Sequence, residues 1–160
     1  LTVQVANANR PRMLMRDVRI DYSKRWQHQH WVSILSAYKS SPYFDFYGEE
    51  FAPFFERRYE FLIDWNADLC RTAMRALGIG KELNVSERWI NAEATAAFDY
   101  DLRGAFSPKP RLAMVDERFT PQPYCQVFAD RAPFAPNLSI LDLLFCEGPA
   151  ATTILRSCLR

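Results

Sequence analysis

Residues 139–148 read SILDLLFCEG, a stretch that contains both a helix start and a helix end. Ser139 followed three residues later by Asp142 is typical of a capping box, with Asp in the place of the usual Glu. The apolar residues that follow continue the helix, and Gly148 ends it. Proline suits the first turn of a helix, so Pro149, which follows Gly148, predicts a second helix over about Ala150–Leu159.

Earlier stretches also have helical spacing. Lys24–Lys39 follows a serine that is suited to an N-cap, and apolar residues on one face predict a longer helix over Arg58–Leu77, ended by Gly78. Between them lies an aromatic-rich segment, for which we expect short helices broken near Gly48 and Pro53. The chain is therefore expected to be mostly helical.

Two stretches near the beginning have the pattern of strands. Leu1–Ala6 alternates apolar and polar residues, the period of a half-buried strand, and Met13–Tyr22 is a second extended run. An antiparallel pair is the simplest arrangement of the two. Among the prolines of residues 107–136, only Tyr124–Phe128 is expected to be extended, since proline removes a backbone donor. The expected fold class is α+β, mostly helical with a small antiparallel sheet.

The composition is that of an ordinary globular domain. The chain has 160 residues, which we take as one domain over residues 1–160, and 20 Lys plus Arg against 19 Asp plus Glu give a net charge of +1. This balance argues against nucleic acid as a partner. No apolar stretch is long enough for a membrane span, and the four cysteines are scattered singly, so we expect a cytoplasmic protein. With five glycines and no glycine-rich loop, neither a phosphate cradle nor a cofactor is expected.

The two histidines, His28 and His30, are the side chains that titrate nearest to neutral pH. Residues two apart on a helix point about 200° from each other, so these two cannot share one metal ion, and no metal site is expected. His30 is either a satisfied core histidine or a general acid or base. The second interpretation makes His30 the candidate catalytic residue.

Further polar residues are candidates for ligand binding. Tyr124 and Gln126 lie on one face of the expected strand, where an amide beside a ring could orient a planar or sugar-like ligand. Gln126 could instead satisfy nearby backbone groups. Asn66 interrupts the apolar face of the helix over Arg58–Leu77, where it could satisfy a backbone group or hold a ligand.

The helix that follows Ser139 has a start suited to an anion. Free backbone N–H groups at a helix N-terminus favour phosphate or carboxylate, and Asn137 would lie at the lip of such a site. Ser139 and Asp142 could act as nucleophile and base, although capping explains both residues without catalysis. We expect any functional pocket to include this helix start together with Gln126 and His30.

Several motifs resemble the WbqC-like protein family. At the C-terminal side they are YCQVF at residues 124–128, FAPNLSILDLLF at residues 134–145 and the Gly-Pro pair at residues 148–149. Upstream, residues 1–3, 26–38, 42–44 and 61–66 are similar as well. The combination of Y-x-Q-x-F with N-L-S-I-x-D-L-L-F is specific, and the resemblance extends over essentially the whole chain.

This resemblance implies a bacterial protein associated with polysaccharide and O-antigen gene clusters. The suspected activity is transfer of a small group, an amino acid or an acyl group, with a sugar or amino-acid derivative as the small-molecule substrate. A non-catalytic binding or scaffold protein of the same pathway is the alternative. Family members carry a further N-terminal segment, which we expect this sequence to lack because it begins with Leu1 inside an expected strand. The free strand edge would then favour a homodimer.

Overall fold

The described part of the chain consists of helices joined by irregular segments. In this computed structural model the described residues are 1–7, 13–86, 90–91, 98–102 and 117–159. The α-helices are α1 (Trp26–Tyr38), α2 (Phe44–Phe51), α3 (Leu62–Ala76), α4 (Ile140–Glu147) and α5 (Ala151–Ser157). Short 3₁₀ helices occupy Met15–Asp17, Ala52–Phe55 and Gly148–Ala150.

The predicted antiparallel sheet is absent from the described residues, so the α+β fold class is wrong for this part of the chain. Where two strands were expected, Val5 and Ile20 form one antiparallel bridge. Asn7, with a φ of 56°, turns the chain soon after this bridge, and the 3₁₀ helix Met15–Asp17 occupies part of the second predicted strand. The pairing therefore stops after one residue pair and no strand develops.

The predicted extended run Tyr124–Phe128 also forms no strand. The chain turns at residues 127–130, where the N–H of Ala129 donates to the Gln126 carbonyl at 3.0 Å. The proline-rich residues 107–136 are described from residue 117 onward, and the part before it lies outside the described residues. This region is a loop that leads back to α4.

Local signals place most helix ends correctly. α3 ends before Gly78, as predicted, and the φ of 65° at this glycine lets the Ile79 N–H donate to the Met74 carbonyl at 2.8 Å. α4 begins after Ser139 and ends at Gly148, which also confirms the prediction. These ends depend on residues close together in sequence.

Three boundary predictions are wrong. α3 begins at Leu62 rather than Arg58, because Phe61 before it is extended and bridges to Arg19. α1 begins at Trp26 rather than Lys24, because the Asp21 carboxylate accepts from the backbone N–H and hydroxyl of Ser23 at 2.8 and 3.0 Å. Gly48 does not break α2, which runs through it. The Phe44 ring lies 3.1 Å from where a Cβ of this residue would be, so glycine lets the ring pack against the helix.

An aromatic core joins α4 to the N-terminal half of the chain. Phe145 and Leu144 on α4 are both 0% exposed. The ring centroid of Phe145 lies 5.4 Å from Tyr38 of α1, 5.0 Å from Phe44 of α2 and 6.2 Å from Phe51 of α2. Aromatic pairs favour tilted and edge-to-face arrangements at these separations. The stretch that begins at Ser139 is therefore held at the centre of the fold.

We expect Gly148→Ala to lower the free energy of unfolding by about 2–4 kcal/mol. A Cβ there would lie 2.5 Å from the Tyr43 ring, and its φ of 51° is one that residues with a side chain rarely adopt. Denaturant unfolding measures the change. Gly80→Ala is the matched control, because no atom lies within 4 Å of its Cβ position, and it should stay within about 1 kcal/mol of the wild type. Equal losses for both variants would contradict the prediction.

Candidate functional site

The carboxylate of Asp142 is the centre of a buried hydrogen-bond cluster. Asp142 lies in the first turn of α4 and is 3% exposed. Its Oδ2 accepts from the Tyr124 hydroxyl at 2.6 Å and from the Gln126 amide at 3.4 Å. Tyr38 of α1 lies close enough to Asp142 for that acid to raise its pKa. A buried carboxylate needs hydrogen-bond partners, and the loop that precedes α4 supplies them through Tyr124 and Gln126.

The groups around Asp142 are held in their protonated forms. Burial raises the pKa values of Tyr38 and Tyr124 well above the usual tyrosine range, and the Asp142 carboxylate acts in the same direction. Burial and the nearby Asp142 raise the pKa of the Cys146 thiol to about 11. At neutral pH both phenols therefore stay protonated, the Tyr124 hydroxyl donates to the carboxylate, and Cys146 is a thiol rather than a nucleophilic thiolate.

Gln126 fixes the loop that precedes α4. Its amide nitrogen donates to the Ala135 carbonyl, and its amide oxygen accepts from the Ala135 N–H, both at 2.9 Å. The two bonds join residues nine apart in sequence and close the turn between them. This geometry matches the backbone-satisfying interpretation of Gln126, with the added contact to Asp142.

Ser139 and Asp142 do not form the reciprocal capping box that their spacing indicates. The Ser139 hydroxyl accepts from the Leu141 N–H at 3.3 Å, so the N-cap prediction is confirmed. The Asp142 carboxylate instead accepts from Tyr124. Asn137 is exposed, with a φ of 58°, in the turn that leads into the helix.

A cavity of about 180 Å³ lies between this loop, the start of α4 and α5. Three of the predicted site residues line it: Tyr124, Asn137 and Ser139. The other lining residues are Phe119, Pro121, Gln122, Phe134, Leu138, Ile140, Leu143, Ile154, Leu155 and Cys158. Sequence reasoning missed most of these, because apolar residues give no signal that separates a cavity wall from a filled core. We refer to this space as the α4–α5 cavity.

Four predicted site residues do not line the α4–α5 cavity: His30, Asn66, Gln126 and Asp142. Asp142 lies directly behind its wall, because it accepts from the lining residue Tyr124, and Gln126 in turn donates to Asp142. His30 is buried in α1, and its ring centroid lies 5.1 Å from that of Trp26 and 6.4 Å from that of Phe55. Burial lowers the pKa of His30 below its ordinary value of 6.5. Asn66 is exposed on α3 rather than set in its apolar face. The structure therefore brings Tyr124, Asn137 and Ser139 together, and leaves His30 in the aromatic core.

A second, larger cavity of about 620 Å³ lies at the C-terminal end of α3. Its lining residues are Arg71, Met74, Arg75, Gly78, Ile79, Gly80, Lys81, Glu82 and Leu83, none of which was a predicted site residue. Arg71 pairs with Asp68 at 2.8 Å and Arg75 with Glu50 at 3.3 Å, so two of its cations have partners within the chain.

The described part of the chain has neither a candidate metal site nor a helix that could span a membrane. Among these residues, no group of three or more His, Cys, Asp or Glu side chains is placed to hold a metal ion. No helix there combines the length and the apolar character needed to cross a bilayer.

We expect Gln126→Ala to loosen the loop between residues 126 and 135. The two lost hydrogen bonds contribute about 0.5–1.5 kcal/mol each, since the exposed Ala135 N–H and carbonyl then bond to water. Amide hydrogen exchange at Ala135 should then be at least about tenfold faster. Gln122→Ala is the control, since its amide makes one bond, to the Thr120 carbonyl two residues away. Unchanged exchange at Ala135 in the Gln126 variant would show that other contacts hold this loop.

The burial of His30 predicts a pH dependence of stability. A histidine whose folded pKa is lowered binds more protons when unfolded, so the free energy of unfolding falls as pH drops below 6.5. We expect His30→Gln to remove this part of the slope between about pH 7 and 5. Chemical denaturation across this range measures it. His28→Gln, at an exposed position on the same helix, should keep the wild-type slope. A slope that is equal in both variants would refute the prediction.

Comparison with known proteins identifies the family. The WbqC-like protein family matches residues 1–104. The curated proteins and the solved structures gave no match. The matched residues include α1, α2 and α3, whereas α4, α5 and the α4–α5 cavity lie beyond residue 104. Because the match covers more than half of the 160 residues, the chain belongs to the WbqC-like protein family.

Proposed function

We propose that this chain takes part in the transfer of a small group during assembly of a bacterial surface polysaccharide, and that the α4–α5 cavity receives that group. The observation that carries the proposal is the cavity itself. Exposed Asn137 and Ser139 lie at its rim, and buried Leu143 and Cys158 line its interior. A polar rim above an apolar interior is the usual make-up of a small-molecule site.

The volume of the cavity supports a small group rather than a whole nucleotide sugar. Pockets that enclose drug-sized ligands measure about 300–1,000 Å³. The α4–α5 cavity has about 180 Å³, so only part of a larger substrate fits inside it. The carrier or the sugar would then remain outside, beside the exposed loop residues. This division is what transfer of an amino acid or an acyl group requires.

The proposed reaction class replaces one bond to the small group by another. The acyl or aminoacyl carbon loses its bond to a carrier and gains a bond to a hydroxyl or amino group of a sugar. The proton of the acceptor ends on the released carrier. Polysaccharide assembly and the small-molecule substrate enter this proposal from the family resemblance. The proposed cytoplasmic location comes from the singly placed cysteines of the sequence.

A second candidate is a binding protein of the same pathway that does no chemistry. The polar groups next to the cavity favour it, because Tyr124 donates to Asp142 and the Ser139 hydroxyl caps α4. His30, the candidate catalytic residue, lies in the aromatic core. The homodimer expected from the sequence stays a prediction, for which analytical ultracentrifugation is the measurement.

Filling the mouth of the cavity tests the proposal. Leu138 lines the cavity and is 47% exposed, so Leu138→Trp should occupy the entrance at small cost to folding. We expect it to weaken binding of short acyl or aminoacyl amides, such as hexanamide or norleucinamide, at least about tenfold. Binding is followed by NMR shifts of the loop residues.

Val32→Trp is the matched control, because Val32 has the same 47% exposure and lies on α1. It should leave binding unchanged. Binding that survives Leu138→Trp, or shifts confined to α1, would place the ligand elsewhere and overturn the proposal.

A further inference from the structure

The lining of the α4–α5 cavity distinguishes between an amino acid and an acyl group. Its described walls are aromatic rings, one proline ring and aliphatic side chains, with a few uncharged polar groups and one thiol. None of these lining side chains carries a charge. An ammonium group placed inside would lose its water without gaining a carboxylate partner, which is unfavourable. An uncharged hydrocarbon chain meets no such penalty and gains from burial.

The nearest acid of the cluster does not change this conclusion. The Asp142 carboxylate is 3% exposed, and it accepts from the Tyr124 hydroxyl and the Gln126 amide. Tyr124 lines the cavity, whereas Asp142 does not. An ammonium group would have to displace the 2.6 Å bond from Tyr124 in order to reach that carboxylate. The acid therefore serves the protein's own tyrosine.

The volume of the cavity, its polar rim and its apolar interior further limit the kind of chemical group that it can hold. An apolar cavity of about 150 Å³ in another protein holds benzene, which has six carbon atoms. A space of about 180 Å³ therefore suits a group of similar size. Exposed Asn137 and Ser139 can hydrogen-bond the carbonyl of such a group at the rim. Leu143 and Leu155 line the space below, where its hydrocarbon part would lie.

We propose that the group received by the α4–α5 cavity is an uncharged short acyl chain of roughly four to six carbons, and not an amino acid. This inference rests on the proposed function, because it needs the cavity to be the ligand site. It deepens that function by naming the substrate class, which is an acyl group whose carbonyl lies at the rim and whose hydrocarbon chain points inward.

Two probes with the same chain and the same amide test this class. Hexanamide is uncharged, and norleucinamide adds one α-amine, which is charged at about pH 6.5. We expect hexanamide to bind at least about tenfold more tightly to the whole chain, measured by NMR titration. If norleucinamide binds equally or more tightly, and Leu138→Trp weakens it, the cavity remains the site and the acyl class is wrong. If Leu138→Trp weakens neither probe, the proposed function itself fails.

A charge introduced at the rim of the cavity gives a second test of the same inference. Leu138→Asp puts a carboxylate beside the entrance, and Leu138→Asn has nearly the same shape without the charge. We expect Leu138→Asp to narrow the preference for hexanamide by about threefold or more, and Leu138→Asn to leave the preference close to the wild-type ratio. Equal ratios in the two variants would show that charge in this cavity does not select the ligand, which would overturn the inference.

Discussion

The packing of Phe145 against rings from α1 and α2 is the interaction on which the other features of the fold depend. Phe145 is 0% exposed and lies 5.0–6.2 Å from the rings of Tyr38, Phe44 and Phe51. Burying a side chain of this kind contributes about 1.5–3 kcal/mol, and aromatic pairs add roughly 0.5–1.5 kcal/mol each. The contact brings a helix from the far end of the sequence into the core built by residues 26–55.

Once α4 is held in this way, its first turn determines where the loop before it lies. Asp142 is one helical turn before Phe145 and Cys146, so its carboxylate is buried together with them. Tyr124 and Gln126 must then approach to satisfy that carboxylate, and Gln126 closes the turn to Ala135. The α4–α5 cavity is the space left between this tethered loop and the two C-terminal helices. The position of this cavity thus follows from the hydrogen-bonding needs of one buried acid.

The family and the candidate site occupy different parts of the chain. The family match ends at residue 104, while the cavity is lined by residues 119–158. The core connects them physically, since the Tyr38 ring of α1 packs on Phe145 of α4 with 5.4 Å between the ring centroids. A change in the matched region that moves α1 would therefore shift α4, and through Asp142 on α4 it would shift the loop that carries Tyr124. The proposed acyl-binding role concerns the second part of the chain, supported by the first.

The sequence by itself determined those features that depend on neighbours along the chain. The cap at Ser139 and the helix ends at Gly78 and Gly148 follow from residues within about one turn of each other. The resemblance to the WbqC-like family is confirmed by the match over residues 1–104, whereas the motifs at residues 124–149 lie beyond that match. The sheet was predicted wrongly, because a strand pair forms only if the two segments remain side by side over several residues. Here the turn at Asn7 and the 3₁₀ helix Met15–Asp17 end the pairing after one bridge. The roles of His30, Gln126 and Asp142 were decided only by the tertiary structure. A polar side chain takes whichever partner folding brings within reach, and the Tyr124 hydroxyl reaches Asp142 across 18 residues of sequence.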